Sequence, residues 1–145
     1  MTLNVKNIQY YAEAALKEIL KDTGVSYTAE VGRDTGALTL KLSESVSIGG
    51  YSALVQFMFM KDGEVYFFAL FDEIDLSVAN AALAFEATST TALGVTIDEF
   101  LTVELGAYLF NEADAGRMIT RYFDDMIYLI DEDDNFKALL SKMRK

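Results

Sequence analysis

The 145-residue chain has no cysteine, no histidine, no tryptophan and no proline. Without cysteine there is no disulfide, no thiolate nucleophile and no thiolate metal site. Without histidine the commonest general base and the commonest transition-metal ligand are gone. Average proline usage near ~5% would give about seven, so every turn here forms without a fixed φ or a cis bond. Basic residues are scarce too: 12 Lys and Arg stand against 23 Asp and Glu, a net charge of -11. Such a field repels phosphate backbones and anionic membranes and favours basic partners. Nucleic acid and membrane are therefore not expected as partners. No apolar run approaches the ~18–20 residues that span a bilayer. The opening MTLNVKN lacks the layout of a signal peptide, and the expectation is a soluble cytoplasmic protein. GxxxxGK[ST], GxGxxG and GxSxG are all missing, so no nucleotide cofactor or serine-hydrolase elbow is expected.

What the chain does have is apolar material, 52% of its residues, enough for one domain over 1–145. The richest stretch is residues 51–71: YSALVQFMFM, then KDGE, then VYFFALF. Asp62-Gly63 between two apolar runs predicts a hairpin with a two-residue type I′ turn. That turn pairs Lys61 with Glu64 and sets the rest. One face carries Phe57, Phe59, Tyr66 and Phe68, which read as core. The other carries Met58 and Met60 with Leu54, Gln56, Phe67 and Phe71. Neither run alternates apolar with polar, so both faces want cover.

Around this hairpin the chain falls into short units. Ile8, Ala12, Leu16, Ile19 and Leu20 recur at helical spacing and predict a helix over about 5–22, with Asn4 or Asn7 as its cap and Gly24 past its end. Tyr10, Tyr11 and Tyr27 read as core residues with hydroxyls at the rim. Val25 to Val31 and Leu38 to Leu42 alternate as strands of a hairpin turning at 32–36. Residues 43–50, rich in Ser and Gly, read as a connection. Asp75 caps an Ala-rich helix predicted to about residue 87. Leu93, Val95 and Ile97 begin a third hairpin, turning near Asp98-Glu99 and returning through Leu101 to Leu109. From Asn111 a long helix carries Met118, Ile119, Tyr122, Met126, Leu129 and Ile130, until the acidic run 131–134 interrupts it and a last turn or two follows. The order predicts an α+β fold: a twisted antiparallel sheet of about six strands with an N-terminal, a middle and a long C-terminal helix.

Two acidic clusters are the candidates for chemistry. Laid on a calcium-loop pattern, Asp131, Asp133 and Asn135 fill positions one, three and five, but Phe136 replaces the glycine and Lys142 the final glutamate. A solvated break between helices is the better reading, and no metal is expected. Asp72, Glu73 and Asp75 form a carboxylate group at a strand-to-helix joint, where a cap explains at least one of them. A carboxylate enzyme is the weakest of the functional readings.

The segment DLSVANAALAFEAT, with Asn80 near its middle, is followed by a short hairpin across VTIDEF and a long helix that starts acidic. This layout resembles the YbjN family, related in fold to type III secretion chaperones. The resemblance covers most of the chain and implies a chaperone-like α+β fold, often dimeric, that holds partner polypeptides. It also implies a role in sensory-transduction or stress regulation. The expected function is a non-enzymatic binding module that engages a protein, a peptide or a second copy of itself. Its site is expected at Leu54, Gln56, Met58, Met60, Phe67 and Phe71, since methionine adapts to varied partners. A helix of the chain lying over that face is the plain alternative. An acidic inhibitor or immunity-type protein that captures a basic partner is the functional one.

Overall fold

The computed structural model describes residues 3–72, 93–97 and 101–143. Over these residues the chain forms α1 (Val5–Leu20), β1 (Tyr27–Val31), β2 (Leu38–Leu42), β3 (Val46–Ile48), β4 (Tyr51–Phe59), β5 (Glu64–Phe71), β6 (Gly94–Ile97) and β7 (Leu101–Tyr108), then α2 (Asp114–Glu132) and α3 (Asp134–Met143). The expected α+β architecture is present: seven antiparallel strands in one sheet, with three helices among the described residues. The sheet order is β1-β2-β4-β5-β7-β6, and β3 pairs with β4. The expected middle helix and the turn at Asp98-Glu99 lie outside the described residues.

Local chemistry explains most boundaries. Asn4 caps α1, its Oδ1 accepting from the backbone N–H of Lys6 and Asn7. Glu112, just ahead of α2, accepts from the Asn4 backbone and from the Asn7 amide, which fastens the two helix starts together. Asn111 opens the turn into α2 by accepting from the Ala113 N–H at 2.9 Å. Asp133 separates α2 from α3, with an extended backbone and a side chain that accepts from the Phe136 N–H at 3.0 Å. The acidic run is thus a break between helices, and its central carboxylate is a cap.

Two turns differ from expectation. Residues 43–50 are not merely a connection, because Val46–Ile48 forms β3 and folds back on β4. Gly49 and Gly50 have φ of 59° and 89°, the positive pair that a tight two-residue hairpin needs. The central hairpin turns differently as well. Met60 N–H donates to the Glu64 carbonyl at 2.7 Å, and Gly63 N–H to the Met60 carbonyl at 3.1 Å. Only Gly63, at φ 100°, is left-handed. The loop is therefore the three residues Lys61-Asp62-Gly63, and the register shifts by one from the expected pairing.

A one-residue shift moves a whole strand to the other face. Phe59 lies opposite Val65, Phe57 opposite Phe67 and Val55 opposite Ala69. The inner face of the hairpin is Ala53, Val55, Phe57, Phe59, Val65, Phe67, Ala69 and Phe71, all buried. Helix α2 packs on this face. Tyr122 sets its ring 6.2 Å from Phe57 and 5.4 Å from Phe67, and its hydroxyl donates to the Val103 carbonyl at 2.5 Å. Helix α1 lies beside α2 through Gly116, where an added Cβ would stand 2.7 Å from the Tyr11 carbonyl oxygen. The buried residues of α1, the sheet, α2 and α3 join in one connected core. Tyr10 and Tyr11 do not belong to it. They are 71% and 41% exposed, contrary to their expected place.

Candidate functional site

The register decides what the second face of the sheet carries. Adjacent strands, about 4.8 Å apart, place their side chains in rungs across it. One rung is Leu54, Leu70, Thr102; the next is Lys41, Gln56, Phe68, Glu104. Then come Thr39, Met58, Tyr66 and Gly106, and last Glu64 opposite Tyr108, with Met60 beside Glu64 across the turn. The expected site residues Leu54, Gln56, Met58 and Met60 do share this face, and all are half-buried. Phe67 and Phe71 do not: both are core residues on the inner face, 0% and 2% exposed. Phe68 and Leu70 take their places, and Tyr66 joins them. The misplacement has one physical cause, the extra loop residue at Gly63.

The centre of this face is apolar, with a shallow hollow of about 250 Å³ between Leu54, Gln56, Phe68 and Leu70. Lys41 lines it on one side and Glu104 on the other. Among the described residues no helix is tied to this face by a ring contact or a side-chain hydrogen bond. The Gln56 amide, in the middle of the face, has no hydrogen-bond partner among them either. No buried side-chain N or O among the described residues lacks a partner, so this amide is open to water and can exchange it for a partner group.

At the turn end the face becomes polar and aromatic. The Glu64 carboxylate accepts from the Tyr66 hydroxyl at 2.9 Å and the Tyr108 hydroxyl at 3.1 Å. These hydrogen bonds first, and the carboxylate's charge second, raise the pKa of both tyrosines above the ordinary value. Phe110 continues the aromatic surface, nearly parallel to Tyr108 at 6.5 Å and 77% exposed. The sequence signal for this group was present. Glu64, Tyr66 and Tyr108 could be seen to meet only once the strand pairing was known.

On the helical side a larger hollow, about 540 Å³, lies among the end of α1, β3 and α2. Val46, Phe123 and Ile127 line it, with Ser and Thr hydroxyls and the Asp124 carboxylate. It can enclose an apolar group but sets no acid beside a base. Of the other expected carboxylates, Asp72 accepts from the Ser45 hydroxyl at 2.7 Å, and Glu73 and Asp75 lie outside the described residues. Among the described residues no three carboxylates converge as they would around a cation, and no helix is long and apolar enough to cross a membrane. Compared with protein-family models, curated proteins and solved structures, the chain matches none.

Proposed function

We propose that the chain is a cytoplasmic, non-enzymatic binding module, chaperone-like in the manner its resemblance to the YbjN family implies, that holds a partner polypeptide on the second face of its sheet. The observation that carries this reading is the half-buried apolar centre of that face, where Leu54, Met58, Phe68 and Leu70 surround the Gln56 amide and Lys41 stands opposite it. An apolar surface with one amide at its centre suits an extended or helical segment, which brings apolar side chains together with backbone groups to pair. Methionine at two positions lets the surface adjust to more than one sequence.

The test is Met58→Asp, read by thermal unfolding, by light scattering and by binding of a fluorescent peptide that alternates Leu with Ser. We expect the variant to unfold within a few degrees of the parent and to bind the peptide at least ~10-fold more weakly, since a buried unpaired charge costs well over the ~1.4 kcal/mol of a tenfold change. Unfolding of the variant at room temperature would make the face part of the core. A parent species near twice the 16.1 kDa chain mass, split by Met58→Asp, would make it a contact between copies.

A further inference from the structure

We propose that Glu64, Tyr66, Gly106 and Tyr108 form a subsite for an arginine side chain of the bound polypeptide. The four residues make a square on the second face, Glu64 opposite Tyr108 and Tyr66 opposite Gly106. Three corners carry large side chains and the fourth carries none. Among the described residues, a Cβ added at Gly106 would meet nothing within 4 Å. Gly106 is exposed, and Tyr66 and Tyr108 are 38% and 58% exposed. The vacant corner is therefore an open slot beside two exposed tyrosines and the carboxylate that they hold.

The chemistry of the slot selects a cation. Aromatic faces attract cations, and a guanidinium lies flat on them more readily than an ammonium does. An ionised carboxylate has about four lone-pair positions. Two are taken by the tyrosine hydroxyls, and the pair left over suits the fork of a guanidinium. The two hydroxyls also fix the carboxylate in place before anything binds. Asp62 adds a second negative charge near both hydroxyls. Among the described residues no cation neutralises either carboxylate: the ion pairs are Arg117 with Asp114 and Arg121 with Asp125. Lys61, next to Asp62 in the turn, runs its alkyl chain along Gly36 instead. The polypeptide source follows from position. Met58 lies directly opposite Tyr66, so the slot is continuous with the apolar surface. In that respect the inference rests on the reading given above.

The experiment is an NMR titration of the full chain with Nα-acetylarginine methylamide, followed at the Tyr66 and Tyr108 rings and the Gly106 amide. Its neutral citrulline counterpart is the control. Saturable shifts with the arginine compound are expected, at least threefold weaker with citrulline, given that an exposed cation–π contact alone is worth about two- to fivefold. Gly106→Val puts a branched side chain on the vacant corner, where a Cβ meets nothing within 4 Å, and should abolish the shifts. Glu64→Gln should weaken them several-fold. Gly106→Ala is the milder variant should valine disturb the strand, and an unchanged amide spectrum elsewhere reports the fold. Equal shifts with citrulline, no saturation with arginine, or full binding by the glycine variants would overturn the subsite. The arginine compound carries no apolar side chain and the Leu-Ser peptide carries no cation, so each probe reports one site only. The subsite and the sheet-face reading can therefore fail separately.

Discussion

Tyr122 joins the aromatic core to a polar obligation. It is 1% exposed, edges the rings of Phe57 and Phe67, and spends its hydroxyl on the Val103 carbonyl. Burial first, and the charge of Glu104 second, push its ionisation far above the ordinary tyrosine value. Below about pH 10, where an unfolded tyrosine keeps its proton, the folded and unfolded chains bind that proton equally. As pH rises further the unfolded chain releases it and the folded chain does not, so stability falls. Tyr122→Phe should cost about 1 kcal/mol at pH 7, the usual worth of one hydrogen bond. It should also remove part of the alkaline decline, measured as urea midpoints on either side of pH 10. An unchanged alkaline slope would assign the decline to the other raised tyrosines: Tyr27, whose hydroxyl donates to Glu13 at 2.5 Å, and the pair on Glu64.

At the scale of elements, α1 and α2 approach each other closely enough to test. Alanine is intrinsically better than glycine in a helix by about 1 kcal/mol, yet at Gly116 its Cβ would stand 2.7 Å from a backbone oxygen of α1. Overpacking of that kind costs about 1–3 kcal/mol. Gly116→Ala should therefore lower stability by about 1 kcal/mol or more in denaturant unfolding; a gain would mean the helices have slack. Most elements were legible in the sequence because each carries a local signal. Asn4 and the Ile8-Ala12-Leu16-Leu20 stripe mark α1, alternating leucines mark β2, and the break at Asp133 divides α2 from α3. Strand β3 has a short signal of its own, Val46 and Ile48 flanking Ser47 just before Gly49-Gly50. The register of the central hairpin was not legible. Asp62-Gly63 serves a two-residue loop and a three-residue loop alike, and both faces of β5 are apolar enough to be buried. The choice of Phe67 over Phe68 for the core is made with Tyr122, far away in sequence, whose ring lies 5.4 Å from that of Phe67. Two of the six expected site residues, Phe67 and Phe71, lie on the other face for that reason alone, and the meeting of Glu64 with Tyr108 follows only from the pairing of β5 with β7.

The whole molecule carries a net charge of -11 with two ion pairs between described residues. Self-repulsion of that size opposes the compact state until salt screens it. Raising sodium chloride from about 10 to about 150 mM shortens the screening length from roughly 30 to 8 Å, and the thermal midpoint should climb by a few degrees. A flat or falling midpoint would mean the carboxylates are already neutralised locally. The same titration separates modes of binding, since contact through an apolar face tolerates salt and capture of a basic partner by charge alone does not. The turn at Lys61-Asp62-Gly63 has a consequence for inheritance. Its residues can be exchanged within limits, with Gly63 held by its φ and by the Leu109 carbonyl 2.7 Å from any added Cβ. Its length cannot drift. Losing one codon there would reverse which side of β5 faces inward, turning Phe68 and Leu70 to the core and Phe67 and Phe71 outward, so that descent tolerates spelling changes in this loop but not a change in count.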